Sequence, residues 1–208
     1  MALEKLLGFS GDEIALKAIE EGHKCFVDIY EYKKIDVVLG KSISLNPDIN
    51  IEACQEEGVA LLRRKGGGGA VVLSPGVWVI TACYANSRKD INVPWVLERI
   101  ALTIAEGLEQ VTDVRISLNG TGDLCIGDKK ILGSSLYCGR GAVLYQGSLM
   151  VNNDLNYIFR LLNHPSKEPE YRRGRRHEDF VTTLSQVTKI DTAIMKQCLL
   201  HKLQTFTF

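Results

Sequence analysis

The sequence predicts an α+β domain in which helices pack on a mostly antiparallel or mixed sheet. Short runs rich in β-branched and aromatic residues recur along the chain, with glycine-containing turns between them. Separate stretches place apolar residues at helical spacing instead. With 208 residues, 45% of them hydrophobic, the chain suffices for one sizeable core and is short for two, and no internal repeat or low-complexity linker divides it. One domain over residues 1–208 is therefore expected.

The first helix is predicted between Gly11 and Gly22, where Ile14, Ala15, Ala18 and Ile19 share a face and the flanking glycines can stop it. Strands are predicted at Cys25 to Tyr32, Asp36 to Leu39, Val59 to Leu62, Ala70 to Leu73 and Val77 to Tyr84. The longest helix opens at Asn92-Val93-Pro94-Trp95, with Pro94 suited to its first turn and Val96, Leu97, Ile100, Ile104 and Leu108 on one face. Four further strands follow, at Val114 to Leu118, Asp123 to Ile126, Lys130 to Tyr137 and Ala142 to Val151. Gly127-Asp128 and Gly139-Arg140-Gly141 supply turns between them. A short helix near Leu155 to Leu162, a mobile loop at His164 to Asp179 without apolar period, and a helix near Thr192 to Thr205 complete the reading.

Charge narrows the partners. The 25 basic and 25 acidic side chains cancel, whereas proteins that coat nucleic acid or an anionic membrane carry a large positive excess. Neither partner is expected, and the one strong basic block, Arg172-Arg173-Gly174-Arg175-Arg176-His177, reads as a solvated loop unless a specific anion explains it. No apolar run reaches the roughly 18 residues of a membrane span, and the start lacks the form of a signal peptide, so a cytoplasmic location is expected. The six cysteines, Cys25, Cys54, Cys83, Cys125, Cys138 and Cys198, form no Cys-x-x-Cys pair and are expected as reduced thiols. Cys198-x-x-His201 is half a metal site, better read as packing plus surface.

Chemistry concentrates in two stretches. Arg63-Arg64-Lys65 precedes four consecutive glycines, Gly66 to Gly69, and then Ala70. Four glycines carry a large entropic cost on folding, which suits a backbone that approaches a ligand closely or aims several N–H groups at one anion. Known phosphate loops do not fit: Gly40-Lys41-Ser42 ends like a Walker A motif, but Ile35 stands where its first glycine belongs. Gly120-x-Gly122 and Gly139-x-Gly141 also lack the third glycine of the dinucleotide fingerprint. The second stretch runs from Asn119 to Ser135 and is followed by Tyr145-Gln146-Gly147-Ser148-Leu149-Met150.

Together these blocks resemble the biotin/lipoate A/B protein ligase superfamily, and most closely the lipoate-protein ligase A catalytic domain. The family pattern R-R-x-S-G-G-G-A-V-x-H-D, then N-D-L, K-x-S-G-S-A and H-H-G-T-L-L is met in order, and the likeness extends from about Tyr30 to Leu184. It implies a class II biotin/lipoate ligase-like fold with mixed and antiparallel sheets flanked by helices. It also implies ATP and Mg²⁺ as cofactors, and lipoate or octanoate as the acid. On this resemblance the catalytic lysine falls on Lys130, where one ammonium could hold a carboxylate and the α-phosphate of ATP, each contact being worth on the order of 4 kcal/mol at about 4 Å and an effective dielectric of about 20. Acyl and adenylate contacts fall on Arg64, Gly66, Gly67, Gly68, Gly69, Ala70, Asp123, Gly133, Ser134, Gln146, Gly147 and Ser148, with Asp123 also the metal ligand.

The chain departs from the pattern at Gly66 for Ser, Leu73-Ser74 for His-Asp, Gln146 for the second His and Gly122 before Asp123. These departures motivate a non-catalytic acyl- or nucleotide-binding subunit as one rival. An ATP-independent octanoyltransferase is the other, but its cysteine positions here hold Ser166 in one type and Leu118-Asn119 in the second. Biotin ligases carry a Gly-Arg-Gly-Arg-x-Gly loop that this chain lacks. The implied partners are a lipoyl-domain or glycine-cleavage-H-like acceptor and a possible separate accessory subunit, since no C-terminal accessory domain is expected after Leu184. The Arg-rich loop would order over the adenylate or receive the acidic acceptor.

Overall fold

In a computed structural model describing residues 6–42, 47–87 and 90–207, the strands divide into two sheets. The smaller has the order β1-β4-β3-β5, from Leu7–Gly8, Ala60–Arg63, Asp36–Leu39 and Ala70–Leu73. It is mixed, with β1 and β3 parallel to β4 and β5 antiparallel to β3. The larger has the order β2-β6-β10-β9-β8-β7, from Cys25–Glu31, Val77–Ala85, Ala142–Met150, Lys129–Gly139, Asp123–Ile126 and Ser117–Asn119, and is antiparallel throughout. The expected mixed and antiparallel sheets flanked by helices are what the chain forms.

Alternation decides how the layers stack. On β6 and β10, Ile80, Ala82, Tyr84, Val143, Tyr145 and Leu149 join the core under α3 (Val93–Val111) and α7 (Thr192–Gln204). The opposite face presents Cys83, Ala142 and Leu144 to α1 (Ser10–Glu20), and Val77 and Val79 to Val38 and Leu73 of the small sheet. The small sheet's other face, with Val37, Leu39 and Val72, is covered by α2 (Ile51–Glu56) and α4 (Asn156–Leu161). α3 starts as its sequence requires, since Asn92 accepts from the Trp95 N–H at 3.1 Å and Pro94 sits in the first turn.

Several boundaries differ from the sequence reading. β7 starts at Ser117, not Val114, because the Glu109 carboxylate accepts the Ile116 N–H at 2.7 Å and holds the preceding residues out of the sheet. β1 and α2 were absent from the expected elements, being too short to display a period; α2 is capped by Asn50, which accepts from Ala53. The largest correction concerns His164 to Asp179. It has a defined path, with a 3-10 turn at Glu170–Arg172, then α5 (His177–Phe180), leading to α6 (Leu184–Val187). Polar and cation–π contacts fix it, and these leave no apolar period to read.

Candidate active site

A cavity of about 340 Å³ lies between the two sheets, roofed by the 162–180 segment. Phe9, Val38, Val71, Leu73 and Val79 form an apolar wall. Of the residues expected at the site, Arg64, Gly68, Gly69, Ala70, Asp123, Lys130, Gly133, Ser134, Gln146, Gly147 and Ser148 all line this cavity. Gly66 and Gly67 do not: Gly66 backs onto Ser135, whose Oγ would lie 2.7 Å from an added Cβ.

The glycine loop is built around Arg64. Its guanidinium donates to the Val38 carbonyl at 3.1 Å and to the carbonyls of Gly67 and Gly69 at 2.7 and 2.9 Å. Burial lowers its pKa to about 10, offset in part by Asp12, so it remains charged at neutral pH. Arg64 therefore holds the loop's shape while its side chain also lines the cavity. Gly40 N–H donates to Gly69 O, Lys41 N–H donates to Gly66 O, and a Cβ on Gly40 would overlap the Gly68 carbonyl. With the carbonyls turned inward, the N–H groups of Gly67, Gly68 and Gly69 donate to no acceptor among the described residues. Successive unpaired N–H groups of this kind favour an anion. Asp12, missed in the sequence reading, is buried on α1 and accepts the Lys65 N–H at 2.6 Å; burial raises its pKa.

Lys130 stands near the start of β9, with Nζ 2.8 Å from Asp123 Oδ1. Tyr171 donates its hydroxyl to Asp123 Oδ2 at 2.7 Å, so both carboxylate oxygens are engaged. A Cβ on Gly133 would meet Lys130 Nζ at 2.9 Å and Cε at 3.0 Å, which explains glycine there: it leaves room for the lysine tip. Ser134 donates to the Gly122 carbonyl at 2.7 Å and Ser148 to the Gly133 carbonyl at 3.4 Å, tying the cavity wall to the Asp123 turn. Gln146 lines the cavity beside Asp12.

The roof adds Lys167, Arg172, His177 and Phe180, none of them singled out individually from sequence. Arg172 is 4% exposed, 3.4 Å from Glu168 and 4.7 Å over the Phe180 ring. Arg175 reaches Asp128 at 2.8 Å. His177 Nε2 lies 3.0 Å from the Asn163 carbonyl, and its pKa is lowered from 6.5 chiefly by burial. A histidine with a depressed folded-state pKa stabilises the fold above its unfolded pKa, and that contribution fades as pH falls through the folded value. Amide protection factors across the roof, taken relative to intrinsic exchange at each pH, should fall below about pH 6.5. His177→Gln should remove the acid dependence, and an unchanged profile in that variant would disconnect His177 from it.

No cysteine lines the cavity. Cys125 is buried, which raises its thiol above the ordinary value, and Cys138 lies exposed near the end of β9. A resident metal is not supported by the side chains present: Asp123 is occupied on both oxygens, and among the described residues no group of three His, Cys, Asp or Glu could hold an ion. Among those residues, too, no helix is long and apolar enough to cross a membrane.

The cavity thus brings together an apolar wall, the backbone of a glycine loop and an ammonium held by a carboxylate. The chain belongs to the lipoyl protein ligase A/B catalytic domain family, whose model matches residues 7–204. It is 23% identical over 166 residues to lipoate-protein ligase A subunit 1 of Thermoplasma acidophilum, covering 76% of this chain and 62% of that protein. The chain thus spans less than two thirds of that relative's length. It is also 21% identical to the octanoyltransferase LipM of Brevibacillus brevis, over 90% of this chain and 76% of that one. A bi-partite lipoate protein ligase of Thermoplasma acidophilum, described with its E2 lipoyl domain, shares the fold with a TM-score of 0.77 at 19% identity over 96% of this chain and 81% of that one. A lipoate-protein ligase A bound with ATP superposes with a TM-score of 0.75 at 18% identity, over 96% and 83% of the two chains.

Proposed function

We propose that this chain is the catalytic domain of an ATP-dependent lipoate or octanoate protein ligase. The observation that carries the reading is Lys130, held by Asp123 at the wall of a cavity whose other side is apolar. The acyl chain lies along Phe9, Val38, Val71, Leu73 and Val79, and its carboxylate meets the Lys130 ammonium. The carboxylate attacks the α-phosphorus of ATP, pyrophosphate leaves, and the acyl-adenylate forms. An amine of the acceptor's lysine then attacks the acyl carbon and AMP departs. Lys130 and the backbone N–H groups of Gly68 and Gly69 offset the phosphate charge. Mg²⁺ travels with the triphosphate, as it commonly does in nucleotide sites.

The acceptor is a lipoyl domain or a glycine-cleavage-H-like protein, and the adenylate is covered either by a separate accessory chain or by the 164–179 segment itself. The Thermoplasma relative's designation as a subunit supports the former arrangement. ATP–pyrophosphate exchange with lipoate and with octanoate tests the reading, as does transfer from pre-made lipoyl-AMP, with and without the accessory chain. Exchange or transfer supports it. Failure of both, with several lipoyl domains, favours a non-catalytic binding subunit.

The transferase rival requires a thioester on a cysteine. Since no thiol reaches the cavity, intact-mass analysis after incubation with an octanoyl-carrier donor should give no added acyl group. Cys125→Ser and Cys138→Ser should each retain ATP-dependent ligation. A hydroxylamine-labile adduct on either cysteine would reassign the chain to the transferases.

A further inference from the structure

We propose that Tyr171 is a positioning residue that couples docking of the 164–180 roof to the placement of the Lys130 ammonium, acting through Asp123. The inference rests on the ligase reading for its functional meaning, but its geometry stands independently. Lysine carries a flexible four-carbon stem, and ordering it has an entropic cost that a fixed partner lowers. Asp123 is that partner, but a carboxylate bonded through one oxygen can still swing about its own side-chain torsions. The Tyr171 hydroxyl removes that freedom by donating to the second oxygen at 2.7 Å.

Tyr171 is itself held from several directions. Its ring lies 5.4 Å from the Phe180 ring, and its carbonyl accepts from Arg175, which also pairs with Asp128. Gly120, at φ +57°, passes so close that a Cβ there would sit 3.5 Å from the Tyr171 ring. Burial, then the Asp123 charge, raises the phenol above its ordinary range, so it acts as a donor at neutral pH. Just past the end of the roof, Thr182 N–H donates to the Lys130 carbonyl at 3.0 Å. The roof and the residues just after it therefore grip the lysine's backbone through Thr182 and its ammonium through Tyr171 and Asp123. Lys130 has three N–H donors, and those not taken by Asp123 are aimed by this grip at incoming acid and phosphate.

Tyr171→Phe removes the hydroxyl and keeps the ring contacts. The rate of Lys130 acetylation by acetic anhydride, read by peptide mass spectrometry on the full chain, requires no substrate. It should rise roughly threefold or more in Tyr171→Phe, and octanoate affinity by calorimetry should fall about tenfold. In an Asp123→Asn background, or Asp123→Ala should the amide not fold, the same substitution should change neither quantity by more than about twofold, because a residue acting through Asp123 has nothing left to act on. Wild-type labelling in Tyr171→Phe, or effects that multiply across the two backgrounds, would overturn the proposal. Absence of octanoate and lipoate binding by the unmodified chain would instead count against the ligase reading, while the labelling cycle would still decide the role of Tyr171.

Discussion

Lys130→Ala is expected to lower acid-dependent ATP–pyrophosphate exchange by roughly 10² to 10³-fold, the usual consequence of losing one preorganised charge donor at a reacting centre. The structure separates this loss from unfolding. Lys130 keeps a side-chain exposure of 23%, its backbone bond to Thr182 does not depend on the side chain, and Asp123 retains the Tyr171 hydroxyl when the ammonium goes. A partly exposed ion pair contributes little to stability, so the melting temperature should fall by a few degrees at most. Lys130→Arg should recover little, since a planar fork replaces a compact charge in a slot shaped by Gly133. Turnover near that of the unmodified chain in Lys130→Ala would remove the residue from the chemistry. A collapse in melting temperature matching the loss of activity would make its role structural.

Legibility in the sequence followed the range of the interactions. Lys130, Asp123 and Gly133 belong to one β-hairpin, and the pattern that marks them survives as a contiguous motif. The glycine loop was legible for a related reason, since four glycines are conspicuous whatever they contact. The loop-shaping bonds of Arg64 were not, because one of them reaches Val38, 26 residues away, and a motif does not display such a partner. The roof was least legible. Tyr171 meets Asp123 across 48 positions and Arg175 meets Asp128 across 47, so its order is fixed by pairs whose members look individually like solvated polar residues. α3 and β10 lie at the other extreme, because their faces are buried against a continuous core and the periodicity records it.

Gly133→Ala should lower turnover about 10²-fold while leaving the fold as stable as before or slightly more so. The position does not adopt a positive φ, so alanine is compatible with the backbone, and replacing glycine at such a site stabilises by about 0.4–1 kcal/mol through the unfolded chain. What the new methyl meets is the far end of Lys130, 2.9 Å from Nζ and 3.0 Å from Cε. A lysine tip moves more readily than a strand, so the ammonium shifts and the sheet stays. Misplacement by about 1 Å at a reacting centre costs on the order of 10² in rate. Gly40→Ala provides the contrast, because the added methyl there overlaps the Gly68 carbonyl, a backbone atom bound into the loop, and the expected result is a lower melting temperature. Thermal denaturation and exchange kinetics on the two variants check both halves. Full turnover in Gly133→Ala would mean that the lysine tip can vacate its slot without consequence, and Lys130 would then have to act from a position other than the one it occupies beside Asp123.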